Sequence, residues 1–194
     1  MKYLVFDTET TGLFDWSKPA DAEGQPRLAS WAMLYVDEDL EIECRDYQLV
    51  KPDGWVMPLE TQAINGLTQE RLEAEGVPAI QALVALRCAI AEGWTLVAHN
   101  LSFDTKVMRG ELRRAQLSDE GCLDGICTMR TLTQACGLPK KTGSGLKFPR
   151  LDEACKIILG RELPDAHNAL VDAKACLWLL RAMRDRGLLV KEAA

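Results

Sequence analysis

The hydrophobic pattern along the chain changes character once, near Pro58, and that change constrains the fold more than any other feature. Before it, apolar residues cluster in strand-like runs: Lys2–Phe6, Leu28–Val36 (LASWAMLYV) and Leu40–Val50 (LEIECRDYQLV). The polar VDEDL joining the last two has the character of a hairpin turn. After Pro58 the period becomes helical. Ile80–Ala91 carries apolar residues at 80, 83, 84, 86 and 90. Further helices are expected over Ser102–Gln116, Phe148–Leu159, with Pro149 tolerated in its first turn, and Ala169–Arg186. Short strands are expected at Trp94–Ala98 and Gly125–Cys127. Antiparallel strands followed by helices with interleaved short strands predict an α/β fold, a mixed central sheet with helices on both faces. A chain of 194 residues is long enough for one domain with a full core, expected over 1–194.

The first strand runs into MKYLVFDTETTGL, where Asp7 and Glu9 stand two residues apart. Strand side chains alternate, so both carboxylates point the same way, with Cβ atoms roughly 7 Å apart. Two like charges that close repel, and burial raises the pKa of at least one. Exposure to water is the ordinary outcome for an isolated Asp-x-Glu. The alternative is a divalent cation, which paired oxygen ligands suit.

Several function classes recede on composition. No apolar run approaches a membrane span, and the N-terminus lacks a secretory pattern, so a cytoplasmic location is expected. Seven cysteines are scattered; Cys122 and Cys127 are the closest pair, and no second pair or nearby histidine completes a zinc site. They read as reduced thiols. The net charge of −6 argues against an extended nucleic-acid footprint but not against a short grip through metal ions. The loop FDWSKPADAEGQPR is long for a strand connection, and the Gly- and Lys-rich LPKKTGSGLK is expected to be mobile.

Only two histidines occur. His99, in VAHNLSFD, reads as a strand-end histidine with a structural hydrogen bond, not a ligand. Asp104 follows in the first turn of a helix, where an acid is favoured anyway. His167 lies in PDAHNALVDAKAC, five residues before Asp172. On an ideal helix that spacing turns the two side chains about 140° apart. They can serve one site only if His167 precedes the helix proper, with Asp165 or Asn168 as cap.

Three segments, FDTETTGL, HNLSFD and HNALVD, stand in this order across nearly the whole chain. Together they resemble the DEDDh, or DnaQ-like, 3′–5′ exonucleases of the ribonuclease H-like superfamily. ICTM before a helix is similar to a sub-branch that includes exonuclease X. The resemblance implies that Asp7, Glu9, Asp104 and Asp172 hold two Mg²⁺ or Mn²⁺ ions and that His167 is the general base. Asp7 would be shared by both ions. Two ions about 4 Å apart can activate a water and stabilise a leaving oxygen. It further implies that Thr8, Thr10 and Leu13 meet the last nucleotide, that Leu13 and Phe103 pack on terminal bases, and that Asn100, Ile64 and Asn65 line the substrate edge. Core packing is the alternative for Leu13, Ile64 and Phe103. Where this chain has Asn65 the family commonly has a histidine, and where it has Ser30 a Glu or Gln.

The resemblance implies a nuclease acting on a nucleic acid with a free 3′ end, single-stranded DNA favoured, and releasing nucleoside 5′-monophosphates. A stand-alone enzyme is expected, since the chain offers little beyond the catalytic domain with which to recruit a polymerase. Rival expectations are a polymerase proofreading subunit, an RNA-trimming enzyme, or a module that binds ends without cutting. Two cationic groups are candidates for further grip: Lys140, Lys141, Lys147 and Arg150, and Lys106, Arg109 and Arg113. A solvated face is the alternative for both.

Overall fold

A computed structural model of the chain describes residues 1–119, 124–164 and 167–189. Its centre is a five-stranded sheet in the order β3-β2-β1-β4-β5. The strands are β1 (Tyr3–Thr10), β2 (Leu28–Val36), β3 (Ile42–Leu49), β4 (Thr95–Ala98) and β5 (Gly125–Cys127). β1, β2 and β3 form an antiparallel meander, and β4 and β5 run parallel to β1. The helices are α1 (Leu59–Asn65), α2 (Gln69–Glu75), α3 (Ile80–Ala91), α4 (Leu101–Arg114), α5 (Thr128–Cys136), α6 (Leu151–Ala154) and α7 (Ala169–Asp185).

Period-two alternation in β1 sends its side chains into two different cores. Leu4 and Phe6 pack with Leu83 and Leu86 of α3 and with Val107, Met108 and Leu112 of α4. Val5 packs on the opposite face with Val97 and with Ala173, Cys176, Leu177 and Leu180 of α7. The sheet is thus covered on both faces, as the sequence predicts. By the same alternation Asp7 and Glu9 share Val5's face, beneath α7, while Thr8 shares the face of α4.

The second and fifth strands and α3 fall on their expected bounds. β1 is longer than expected: it continues through Thr10, with a bulge against β2 between Glu9 and Thr10. The acidic pair therefore lies within a paired strand. Asp7 sits opposite Ala32 and Glu9 opposite the buried Ser30. On its other edge β1 pairs with β4 only as far as Val5. From Phe6 onward that edge is open, where β4 ends and the chain turns into α4. A crevice outside the carboxyl ends of parallel strands is the usual ligand position in α/β sheets.

The expected helix over Phe148–Leu159 is shorter and irregular. It begins at Leu151 and passes from α6 into a wider π turn at Cys155–Leu159. The residue before a proline is pushed to extended backbone, which keeps Phe148 out of a helix. The Glu153 carboxylate then accepts from the Arg150 N–H and marks the start. The expected mobile loop is closed on itself by Lys140 N–H donating to the Gly145 carbonyl and Lys147 N–H to that of Leu138. The alternative cap Asp165 and the pair member Cys122 lie outside the described residues.

Candidate active site

Three segments bring the acids together. Asp7 and Glu9 come from the open-edged half of β1, Asp104 from the first turn of α4, and Asp172 from the first turn of α7. Asn168 caps α7, its Oδ1 accepting from the N–H groups of Leu170 and Val171 at 3.1 and 3.3 Å. His167 therefore precedes the helix, as one shared site requires. It has a left-handed backbone (φ 73°), and its N–H donates to Asp172 Oδ2 at 3.1 Å. That conformation returns the exposed imidazole toward the carboxylates despite the unfavourable helical spacing. One ligand atom each of Glu9, His167 and Asp172 lies within 4.8 Å of the other two.

All the residues expected at the site line one cleft of about 670 Å³: Asp7, Thr8, Glu9, Thr10, Leu13, Ile64, Asn65, Asn100, Phe103, Asp104, His167 and Asp172. Their surroundings differ. Thr8 is buried, and both its N–H and its hydroxyl donate to Asp104 Oδ1, at 3.0 and 2.8 Å. Its donors therefore orient a carboxylate. Thr10 is also buried, its hydroxyl donating to the Gly12 carbonyl at 2.7 Å and holding the turn that presents Leu13. Leu13 is 87% exposed and Ile64 60%, so neither is core. Phe103 is half-buried, its ring edge-on to Phe14 at 5.5 Å. Asn65 bridges the two walls, donating to the Thr10 carbonyl at 3.4 Å and accepting from Leu67 N–H. Asn100, left-handed at φ 75°, accepts from the Ser102 hydroxyl.

His99 also lines the cleft, in the structural role expected. Nε2 faces the Pro149 carbonyl at 3.1 Å, which can only accept, so this nitrogen carries the proton. Nδ1 then accepts from the Thr128 hydroxyl at 2.9 Å. Burial holds its pKa down at about 4, keeping the ring neutral. The bonds tie the end of β4 to the segment leading into α6, whose Leu151 forms part of the cleft wall. Glu60 and Thr61, which also line it, were absent from the sequence expectations. They stand one helical turn before Ile64, so helical spacing from that residue could have found them.

The electrostatics are those of crowded, desolvated acids. Burial, then the charges of Asp104, Asp172 and Glu9, push Asp7 well above the ordinary carboxylate range. Burial, then Asp172 and Asp104, push Glu9 up to about 8. Burial raises Asp104 to about 7 against the bonds from Thr8, and Asp172 to about 6 against the His167 N–H. Among the described residues no lysine or arginine forms an ion pair with any of the four. Asp172 Oδ1 is buried with no hydrogen-bond partner. Raised carboxylates, an orphaned buried oxygen and no cationic side chain fit the binding of divalent cations.

This arrangement predicts the pH dependence of stability without metal. Between its unfolded and folded pKa, a carboxyl with a raised pKa keeps its proton only in the folded chain, so stability falls as pH rises through that interval. Below about pH 6.5 neutral His99 acts with the opposite sign, because the unfolded chain there binds the extra proton. The interval from about 6.5 to 8 is left to the acids, Glu9 above all. One such group changes stability by up to about 1.4 kcal/mol per pH unit, so a loss of about 1–2 kcal/mol, or roughly 2–8 °C in Tm, is expected over that interval in chelator. Mg²⁺ should remove most of the decline. Melting curves at several pH values check this, and a Tm that rises across the interval would contradict the crowding.

Comparisons with known proteins give the family and the fold. The model of the exonuclease family RNase_T matches residues 4–180. A DNA polymerase III subunit epsilon-like protein of Rhodobacter capsulatus is 29% identical over 97% of this chain. Small RNA degrading nuclease 3 of Arabidopsis thaliana is 30% identical over 78% of it. The chain spans only 25% and 17% of the lengths of these relatives. Among solved structures, E. coli exonuclease I in complex with a dT13 oligonucleotide superposes with a TM-score of 0.74 at 20% identity. That match covers 95% of this chain and 41% of that one, and it shows a shared fold. With the family model matching almost the whole sheet and the positions of Asp7, Glu9, Asp104 and Asp172, the chain belongs to the RNase_T exonuclease family.

Proposed function

We propose that the protein is a metal-dependent 3′–5′ exonuclease that hydrolyses the phosphodiester bond at the 3′ end of a nucleic acid, single-stranded DNA favoured, releasing nucleoside 5′-monophosphates. The observation that carries this reading is that Asp7, Glu9, Asp104, Asp172 and His167 share a single cleft, the four carboxylates having no cationic partner among the described residues. Asp7, Glu9, Asp104 and Asp172 would hold two divalent ions, and their oxygen-rich donor set suits Mg²⁺ or Mn²⁺. When bound, such ions supply positive charge where the entering and leaving oxygens become negative. His167, exposed at the rim, takes the proton from the attacking water. Thr8 fixes the Asp104 carboxylate. The exposed Leu13 and Ile64, with Phe103, offer apolar surface to the terminal bases, a contact tolerant of sequence. Asn65 and Asn100 place polar groups between them.

The fold shared with the dT13-bound exonuclease I supports DNA as substrate. The name of the Arabidopsis relative keeps RNA trimming as the second reading, and that of the Rhodobacter relative keeps proofreading. The sheet and its covering helices extend from β1 to α7, which supports one catalytic domain. Six free thiols among the described residues suit a reducing cytoplasm, and no described helix is long and apolar enough to cross a membrane. Matched DNA and RNA oligonucleotides labelled at the 5′ end test the reading. Stepwise shortening from the 3′ end is expected with Mg²⁺ or Mn²⁺ and not in chelator, faster on DNA. Uncut oligonucleotide with either ion would mark an end-binding module instead.

A further inference from the structure

A second groove, of about 760 Å³, adjoins the cleft along α4, and its charge is opposite. Among the described residues, the cleft lining contains five carboxylates and no lysine or arginine. The described lining of the groove contains five cations, Lys18, Lys106, Arg109, Arg113 and Arg130, and one acid, Asp124. In a chain of net charge −6 this is a concentrated basic surface. Its cations are not equally available. Arg113 is paired with Asp119 at 2.8 Å and with Asp21 at 3.5 Å, and Lys18 with Asp15 at 3.6 Å. Arg109 and Arg130 are exposed and form no ion pair among the described residues. The other cationic group named from sequence is weaker: Lys147 is paired with Glu153 and Arg150 with Asp152.

An aromatic track joins the two concavities. Phe103, in the cleft wall, meets Phe14 at 5.5 Å, and Phe14 meets Trp16, in the groove, at 6.0 Å. Trp16 is 59% exposed, and Lys106 Nζ stands 4.5 Å from its ring centroid. Phe103, Lys106 and Arg109 succeed one another at helical spacing of three, about 9 Å along the axis of α4. Aromatic and cationic groups side by side in one groove are what a single strand requires: a face for an unpaired base and charges for its phosphates.

We propose that this groove holds the stretch of single strand immediately upstream of the 3′-terminal nucleotides, with Trp16 stacking on a base and Lys106, Arg109 and Arg130 facing phosphates. The inference rests on the exonuclease reading of the cleft and assigns its substrate a second, metal-independent grip.

Two measurements on Arg109→Ala/Arg130→Ala and on Trp16→Ala test it. All three side chains are at the surface, so the variants should fold, and melting curves check that. The first measurement is binding of a labelled ten-nucleotide oligothymidylate in chelator. Each variant should bind at least about fivefold more weakly, and the double variant should flatten the slope of log K against log[salt] by about 1.4, at about 0.7 per phosphate contact. The second is kcat/KM with Mg²⁺ on three- and ten-nucleotide substrates. The advantage of the longer substrate over the shorter should shrink by a similar factor, through KM. Unchanged binding of the ten-nucleotide strand overturns the proposal, and that is the result expected if the groove instead takes an acidic peptide. An equal loss on both substrate lengths also overturns it, because the effect then arises in the cleft. Should the wild type cleave neither substrate, the exonuclease reading fails, while binding in chelator still decides whether the groove holds a strand.

Discussion

Asp7→Ala is expected to abolish turnover and, without metal, to melt no lower than the wild type. Burial, then the charges of Asp104, Asp172 and Glu9, hold the Asp7 carboxyl well above the ordinary range, and no cation among the described residues offsets it. Removing it withdraws a ligand from the proposed metal cluster. Loss of several kcal/mol of charge stabilisation corresponds to at least about 10³-fold in rate at about 1.4 kcal/mol per tenfold. The same substitution relieves repulsion with Asp104, Asp172 and Glu9 when no ion is present, so chelated mutant and wild type should differ in stability in the mutant's favour at pH 8. Mg²⁺ should then raise the Tm of the wild type far more than that of the mutant. Asp7→Asn, which keeps the shape, should behave alike. More than a few per cent of wild-type activity in the alanine variant would remove Asp7 from the metal site.

His167→Ala should lower kcat by about 10²–10⁴-fold, the usual cost of losing a general base, with much less effect on substrate affinity. The backbone bond from residue 167 to Asp172 survives the substitution, because the N–H makes it. The left-handed conformation does not favour alanine, however, and strain there could disturb the turn. His167→Asn separates the two effects: asparagine tolerates that conformation and cannot accept the proton. Equal loss of kcat in both variants assigns the effect to proton transfer, whereas substantial recovery in the asparagine variant would assign it to the backbone.

Much of the site was legible because its residues stand in short segments with fixed local geometry. Asp7 and Glu9 had to share a strand face, and Asp104 and Asp172 had to fall in first helical turns. That His167 must precede its helix followed from the angle that five residues subtend. The sequence pattern likewise indicated strands sent to two helical layers, since Tyr3–Phe6 of β1 and nearly every position of β2 are apolar. The end of β1 was less legible: polar residues over Asp7–Thr10 resemble a strand end, yet β2 continues to pair with them.

What sequence determined by itself was the list of chemical groups and the faces on which local geometry sets them. Tertiary structure alone decided how those faces meet. Thr8 looked like a substrate contact, but its hydroxyl and N–H point across the sheet edge to Asp104, ninety-six residues away. Net charge argued against an extended nucleic-acid footprint, and sequence placed Lys106, Arg109 and Arg113 on one helix, but folding brings Trp16, Lys18 and Arg130 beside them, in a concavity next to that of the acids. Neither the Thr8 bonds nor this convergence could be read along the chain. Both depend on β4 releasing the edge of β1 at Val5, which makes room for α4 to carry Asp104 on one side and Arg109 on another.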